Sequence, residues 1–117
     1  MRHKVKKTLL NLPRGQRRLL MKNLATSLVI HEKIKTTEAR AKALRPIFDK
    51  LITTAKKKER VTAIREVNAV LQNELSSKKL IDQIAKKYDN KTSGFTRITK
   101  LGTRAGDAAP LVQIELT

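Results

Sequence analysis

The sequence contains no cysteine and no tryptophan, and its only aromatic residues are two phenylalanines and one tyrosine. Without thiols the chain forms neither a disulfide nor a cysteine-ligated metal site, so nothing indicates a disulfide-stabilised secreted protein. Proteins that read single-stranded nucleic acid commonly stack its bases on aromatic side chains. Phe48 and Tyr88 fall at predicted core positions. Only Phe95 is then left for stacking, which argues against that mode of recognition.

Long hydrophobic runs are also missing. No apolar stretch approaches the ~18 residues of a membrane-spanning helix, and LLNLP near the start is too short for a secretory signal. We therefore expect a soluble intracellular protein without a membrane partner.

Acidic residues are scarce relative to basic ones. The 117 residues, enough for one domain, include 27 Lys and Arg against 10 Asp and Glu, a net charge of +17. Residues 1–58 hold 17 of the bases and 3 of the acids, whereas residues 59–117 hold 10 and 7. Cations at this density repel one another, so we expect a polyanion to neutralise them, mainly against the first half.

The first half begins with a predicted extended basic arm at residues 1–15, which has six basic residues and no acid. We assign residues 16–117 to a single α/β domain. A helix over about 16–31 is predicted because Leu20, Met21, Leu24 and Leu28 recur at helical spacing. Arg14, Arg18 and Lys22 follow one another at steps of four on a neighbouring face.

The stretch KIKTT alternates in the manner of a short edge strand, and Thr37 followed by Glu38 suits the start of a second helix. That helix carries the strongest apolar stripe, from Leu44 to Ala55. Because proline removes a hydrogen bond, Pro46 predicts a kink or a restart near 42–45.

A third helix is predicted over about 59–73, with Val61, Ile64, Val67 and Leu71 on its apolar face. A fourth is predicted to begin at Ser76 or Ser77 as its cap. Two strands, about 95–101 and 111–116, follow. The loop between them, GTRAGDAAP, brings Arg104 to its tip.

Two motifs suggest catalysis, and both fail on spacing. His31 and Glu32 begin an H-E-x-x-H pattern, but Lys35 stands where a zinc protease needs its second histidine. GTRAGD has three residues between its glycines, where a phosphate-binding Walker loop needs four, and Asp107 would repel phosphate. We expect Asp107 to cap a turn or to pair with an arginine. No residue set supports a named reaction, a metal or a cofactor, so we predict that the chain is not an enzyme and has no small-molecule substrate.

A basic arm, a cationic helix face and a basic loop tip match the pattern expected for phosphate contacts. Folded RNA and duplex DNA both remain open on this basis. DNA binding would call for a helix-turn-helix with a short turn, but a strand-like stretch separates the first two helices and the later helices are much closer to neutral.

Several stretches, taken in order, resemble a known family. These are MRH at the start, TSLVIHEKIKTTEARAKALRP and LITTAKK in the middle, and GFTRITKLGTRAGDAAPLVQIEL at the end. Together they resemble the bacterial-type large-subunit ribosomal protein seventeen family. The resemblance implies an α+β, two-layer α/β fold with about four helices on a small mixed sheet of about three strands. It also implies a structural role on large-subunit rRNA near the opening of the nascent-chain exit tunnel.

The positions that match the family pattern fall in the arm, the end of the first helix, the second helix and the last third of the chain. They are Met1, Arg2, His3, Ser27, Leu28, His31, Glu32, Ile34, Thr36, Thr37, Ala41, Lys42, Leu44, Arg45, Gly94, Thr96, Arg97, Lys100, Gly102, Arg104, Gly106, Asp107, Ala109 and Pro110. The chain departs from the pattern at Gln16, Ser93 and Phe95, where the family usually has His, Gly and Tyr. Residues 59–90 match only in helical pattern.

We therefore expect a large-subunit ribosomal protein that clamps folded rRNA through its arm, first helix and hairpin loop, next to other ribosomal proteins and not as a homo-oligomer. Because Met1 leads directly into the family's start, a bacterial cytoplasm is favoured over an organelle. Glu32 is expected to orient a nearby Lys or Arg. The predicted RNA-binding residues are Arg2, His3, Lys4, Lys6, Lys7, Arg14, Arg17, Arg18, Lys22, His31, Lys33, Lys35, Arg97, Lys100 and Arg104.

Overall fold

A computed structural model describes Leu10 and residues 12–71 and 73–117 of the chain. Most of the predicted N-terminal arm lies outside these residues. The first helix begins at Arg14, two residues before the predicted domain boundary.

Four helices and three strands make up the described part of the chain. The helices are α1 (Arg14–His31), α2 (Glu38–Lys57), α3 (Arg60–Leu71) and α4 over 74–87. Helix α4 is continuous but changes its winding, with α-helical turns at Glu74–Lys79 and Ala85–Lys87 on either side of a π-helical segment, Leu80–Ile84. The strands are β1 (Lys33–Thr37), β2 (Thr96–Thr103) and β3 (Pro110–Leu116). The predicted α+β fold is confirmed.

The three strands form one sheet in the order β1-β3-β2. Strand β1 lies at an edge, as predicted. Strands β1 and β2 run in the same direction, but β3 lies between them and pairs antiparallel with both. The sheet is therefore antiparallel throughout, and not mixed as we expected. Strands β1 and β2 would have to be neighbours to form a parallel pair, and β3 separates them.

The core lies between the helices and one face of the sheet. Val112 and Ile114 alternate along β3 and are fully buried, and Ile34 and Ile98 flank them from the neighbouring strands. The helices supply the remaining buried side chains, mainly Met21, Ala25, Leu28, Val29, Leu44, Phe48, Leu51, Ile52, Val67, Leu71, Leu80 and Ile84. The other face of the sheet carries no helix in the described part of the chain.

One predicted core position is wrong. Val61 of α3 is 55% exposed, and the buried stripe instead runs through Ala63, Val67 and Leu71. These three residues recur at steps of four and stay close to one side of the helix. The predicted positions Val61, Ile64 and Val67 are three residues apart, which is less than one turn of 3.6 residues. Val61 therefore lies about 120° around the helix from Val67, the middle of the buried stripe.

Helix α2 passes through Pro46 as a single element, so the predicted restart does not occur. The residues two before and two after the proline, Leu44 and Phe48, are both fully buried. Their packing holds the helical path on both sides of the missing backbone hydrogen bond.

The N-terminal cap of α4 is Asn73, and not Ser76 or Ser77 as predicted. The Asn73 side-chain oxygen accepts hydrogen bonds from the backbone N–H groups of Leu75, at 3.0 Å, and Ser76, at 3.3 Å. Both serines lie inside the helix and are buried, and neither hydroxyl has a partner in the described part of the chain. Asparagine is as good a cap as serine, so the sequence alone did not separate the two choices.

This correction predicts opposite effects for two alanine substitutions. Asn73→Ala should destabilise the protein by about 1 kcal/mol because it removes the cap. Ser76→Ala should be neutral or slightly stabilising, because it removes a buried hydroxyl that makes no hydrogen bond. Urea unfolding of both variants, with Asn73→Asp as a control that retains the capping oxygen, measures the difference. A larger loss in Ser76→Ala than in Asn73→Ala would restore the serine cap.

In the part of the chain that the structure describes, no helix is both long enough and apolar enough to cross a membrane.

Candidate nucleic-acid interface

Helix α1 has a cationic face with no acidic residue on the same helix. Arg14 and Arg18 are exposed, while Arg17 and Lys22 are partly buried, and no Asp or Glu occurs between Arg14 and His31. The core contacts of the helix are Met21, Ala25, Leu28 and Val29, which begin one turn after the arginines and lie on the same side of the helix. The cations therefore border the core and do not face away from it, as the partial burial of Arg17 and Lys22 shows. No ion pair within the described residues neutralises any of the four.

The arginines of α1 lie at the unfavourable end of the helix. Exposed N–H groups make the start of a helix electropositive, so acids stabilise this end and bases destabilise it. Here the first turn has no acid, and the preceding Pro13 provides no side-chain cap. Positive charge is thus concentrated at the N-terminal end of α1, where it destabilises the isolated fold. An external anion would relieve this repulsion.

The open face of the sheet carries a second group of cations. Because Ile34 and Ile98 point toward the helices, Lys33 and Arg97 point to the other side, where both are exposed. Both are paired in register with Glu115, one on each side of β3. Lys35 lies one step along on the same face, opposite Gln113. The two predicted RNA-binding residues of β1, Lys33 and Lys35, therefore lie on the same surface as Arg97.

Lys100 does not share that surface. It is an odd number of residues from Arg97, and it lies in register with buried Val112, on the helix side of the sheet. Its side chain is exposed there, and its charge acts on Glu38, at the start of α2. The Lys42 ammonium, 2.8 Å from Glu38, lowers the pKa of that carboxyl, and the charge of Lys100 lowers it further.

The hairpin loop holds Arg104 in a fixed arrangement. The Nε of Arg104 donates to Oδ1 of Asp107 at 3.1 Å, and its Nη2 donates to Oδ2. The backbone N–H of Ala109 donates to Asp107 Oδ1 at 3.2 Å. The expectation that Asp107 pairs with an arginine is thus confirmed. The pairing uses one edge of the guanidinium and leaves its other edge for an external acceptor.

The hydrogen bond from Arg104, with that from the Ala109 N–H, lowers the pKa of Asp107 to about 2. Because this pKa lies below the ordinary value of about 3.9, the contact stabilises the folded loop fully above about pH 4 and is lost as the pH falls through about 2. NMR titration of the Asp107 carboxyl should give this midpoint. Arg104→Gln should raise it toward the ordinary value, and Arg97→Gln should not. An Asp107 midpoint near 4 in the unsubstituted chain would contradict the pairing.

The His31-Glu32 pair is a structural junction. His31 is the exposed last residue of α1, and Glu32 takes a left-handed backbone conformation (φ 63°) that turns the chain into β1. The Glu32 N–H donates to the Leu28 carbonyl at 2.8 Å, and its carbonyl accepts from Leu116 at 3.0 Å. Within the described residues Glu32 makes no ion pair, so the expected contact with a nearby Lys or Arg is not formed there.

Phe95 is not available for stacking, which corrects our expectation. It is 1% exposed and packs against the Tyr88 ring at a centroid distance of 5.3 Å, with the Lys56 ammonium 5.3 Å from its own centroid. Tyr88 in turn donates a hydrogen bond to the main-chain oxygen of Thr117 at 2.7 Å. Apolar and polar residues alternate poorly over 95–101, so the sequence did not show that the Phe95 ring points inward.

Tertiary packing brings together a further group of cations that sequence patterns did not indicate as a site. A small cleft where the ends of α2 and α4 meet has a volume of about 190 Å³. Its charged lining consists of Lys56, Lys58, Arg60, Lys86 and Asp89. Arg60 is paired with Asp82 at 3.3 Å, and Lys58 with Glu66 at 4.0 Å. In the sequence, the run of three lysines from Lys56 to Lys58 is the signal for this cationic cleft. The acidic partners Glu66 and Asp82 reduce the net charge of the cleft.

Among residues 12–71 and 73–117, no group of three His, Asp or Glu side chains is placed to hold a metal ion. The predicted contacts Arg2, His3, Lys4, Lys6 and Lys7 lie outside the described residues.

Comparison with known proteins decides the family. A family model described as ribosomal protein L17 matches residues 20–117, which include α1 from its second turn onward, the sheet and the hairpin loop. The chain belongs to the ribosomal protein L17 family. This confirms the resemblance seen in the sequence. L17 is a family of structural ribosomal proteins, so membership also confirms that the chain is not an enzyme.

Curated L17 relatives match over most of their length. The large ribosomal subunit protein bL17 of Clostridium beijerinckii is 48% identical over 107 residues, which are 92% of this chain and 94% of the relative. That of Rickettsia bellii is 42% identical over 115 residues, 98% of this chain and 80% of the relative. That of Neorickettsia sennetsu is 40% identical over 115 residues, 98% of both chains.

Proposed function

We propose that this chain is a structural constituent of the large ribosomal subunit and that it binds folded large-subunit rRNA, mainly through lysine and arginine contacts to phosphates. Its family supports the ribosomal role. The observation that carries the rRNA contact is the acid-free helix α1, whose arginines accumulate at its electropositive end.

Three groups of cations serve this function in our proposal. The first is the cationic face of α1, and the second is the open face of the sheet, with Lys33, Lys35 and Arg97. The third is the hairpin loop, where Asp107 orients Arg104. Arginine suits the positions where a phosphate is held by two donors, and lysine those where a point charge is sufficient. His31 lies between the first two groups along the chain and is assigned to the same RNA surface.

The place of the protein on the particle is part of the proposal. The sequence resemblance favours a position near the opening of the nascent-chain exit tunnel, next to other large-subunit proteins and as a single copy. The bacterial source of the relatives favours the bacterial cytoplasm. The N-terminal arm is proposed to add phosphate contacts through Arg2, His3, Lys4, Lys6 and Lys7.

Sucrose-gradient fractionation of a cell lysate tests the proposal. The protein should sediment with large subunits in stoichiometric amount, and chelation of Mg²⁺ followed by high salt should release it as the rRNA unfolds. Recovery with the nucleoid, and not with the large subunit, would contradict the ribosomal role and favour binding to duplex DNA.

A further inference from the structure

An apolar cleft opens between α1, α2 and α3 directly beside the cationic face of α1. Its volume is about 510 Å³, within the range of sites that take a small molecule or one residue of a polymer. The apolar part of its lining consists of Met21, Ala43, Pro46, Ile47, Ala69 and Val70. These side chains face a cleft that the folded core leaves unfilled.

The rim of this cleft is purely cationic. Arg17, Arg18 and Lys22 contribute to the lining, and no acidic residue among those that the structure describes does so. The other clefts described differ in this respect, because Glu74 and Asp82 line that between α3 and α4, and Glu38 lines that beside the start of α2. The occupant must therefore combine apolar surface with negative charge.

We propose that this cleft receives one unstacked nucleotide of the rRNA. The faces of a base would cover the aliphatic floor, and the attached phosphates would pair with the rim cations. A regular duplex does not fit the floor, because its base faces are stacked and only phosphates, sugars and base edges reach its surface. Unstacked bases also pack on the planes of arginine side chains, so Arg17 and Arg18 compensate for the missing aromatic residues. This inference rests on the proposed function and specifies its recognition mode.

Ala69 provides a test that does not change the charge. It is exposed on the third helix at the edge of the cleft, so Ala69→Leu should narrow the cleft without disturbing the core. Ala69→Ser keeps the cleft open and is the matched control. The probe is a full-length transcript of the large-subunit rRNA, and affinity is measured by filter binding over a series of salt concentrations.

We expect Ala69→Leu to weaken binding about tenfold, because it excludes the base from the cleft. The slope of log affinity against log salt should stay unchanged, since the phosphates remain beside the rim cations. Chemical probing should show one rRNA nucleotide that the unsubstituted protein and Ala69→Ser protect but Ala69→Leu exposes. Arg18→Gln should instead reduce the slope.

If Ala69→Leu binds and protects the transcript like the control, the nucleotide proposal is wrong. In that case a steep salt dependence in every variant would still support the proposed rRNA binding. If Ala69→Leu binds naked rRNA normally but fails to enter reconstituted subunits, the cleft holds a segment of a neighbouring protein, and the nucleotide proposal is overturned. An absence of salt-dependent rRNA binding by the unsubstituted protein would overturn the proposed function itself.

Discussion

Replacement of Arg14, Arg17 and Arg18 by glutamine should weaken binding to large-subunit rRNA by roughly two to three decades near 0.1 M salt. Each phosphate contact adds close to one unit to the slope of log affinity against log salt, so one contact contributes a factor of about eight at that concentration. Three lost contacts account for the total. The slope itself should become shallower by between two and three units.

The same triple variant should be more stable than the unsubstituted protein when free of RNA. Removing positive charge from the first turn of a helix is favourable by about 0.3–1 kcal/mol per residue at low ionic strength, and in α1 this turn contains Arg14 and Arg17. Affinity and stability should therefore change in opposite directions, as expected of residues retained for binding. Filter binding and urea unfolding measure the two quantities on one preparation.

A matched control removes three exposed cations from elsewhere in the fold, Lys50, Arg65 and Lys78, again by glutamine substitution. Its total charge equals that of the α1 variant, so any effect of net charge alone is common to both. We expect the control to lose much less affinity. Equal losses would mean that binding depends on the overall charge and not on the face of α1.

Phe48→Ala should cost about 3–5 kcal/mol of stability, a large share of the ~5–15 kcal/mol typical of a domain. Phe48 is fully buried in α2 and is one of the largest side chains of the core. The substitution loses the burial of a phenyl ring and leaves a cavity that the surrounding residues fill only in part. The urea midpoint should fall steeply with little change in the slope of the transition.

Two controls bracket this effect. Phe48→Leu retains most of the buried volume and should cost much less. Leu19→Ala truncates an apolar side chain of α1 that is 56% exposed and should cost little. A midpoint for Phe48→Ala as high as that for Leu19→Ala would show that α2 does not supply the centre of the core.

The elements with a strong apolar period could be predicted from the sequence. The stripe of α2 fixed its buried face despite Pro46, and the alternation of Val112 and Ile114 fixed the inward face of β3. The steps of four from Arg14 to Lys22 likewise predicted a cationic face beside the apolar stripe of α1. Periodicity carries this information since it is a property of the local chain.

The remaining features depend on tertiary contacts that no local pattern encodes. Asn73 and Ser76 have similar capping propensities, and only the packing of α4 buries the serine and leaves the asparagine at the helix start. Phe95 faces Tyr88 because the chain returns from α4 to the sheet at that point. The cleft beside Arg17 exists only where three helices meet.

The most direct test of the account is the salt dependence of the affinity of the unsubstituted protein for its rRNA. With roughly eight phosphates contacted, the affinity should fall by about three to five decades between 50 and 200 mM monovalent salt. A nearly flat response over that interval would contradict the account, because it would mean that the positive charge of the chain does not face the phosphates of the RNA.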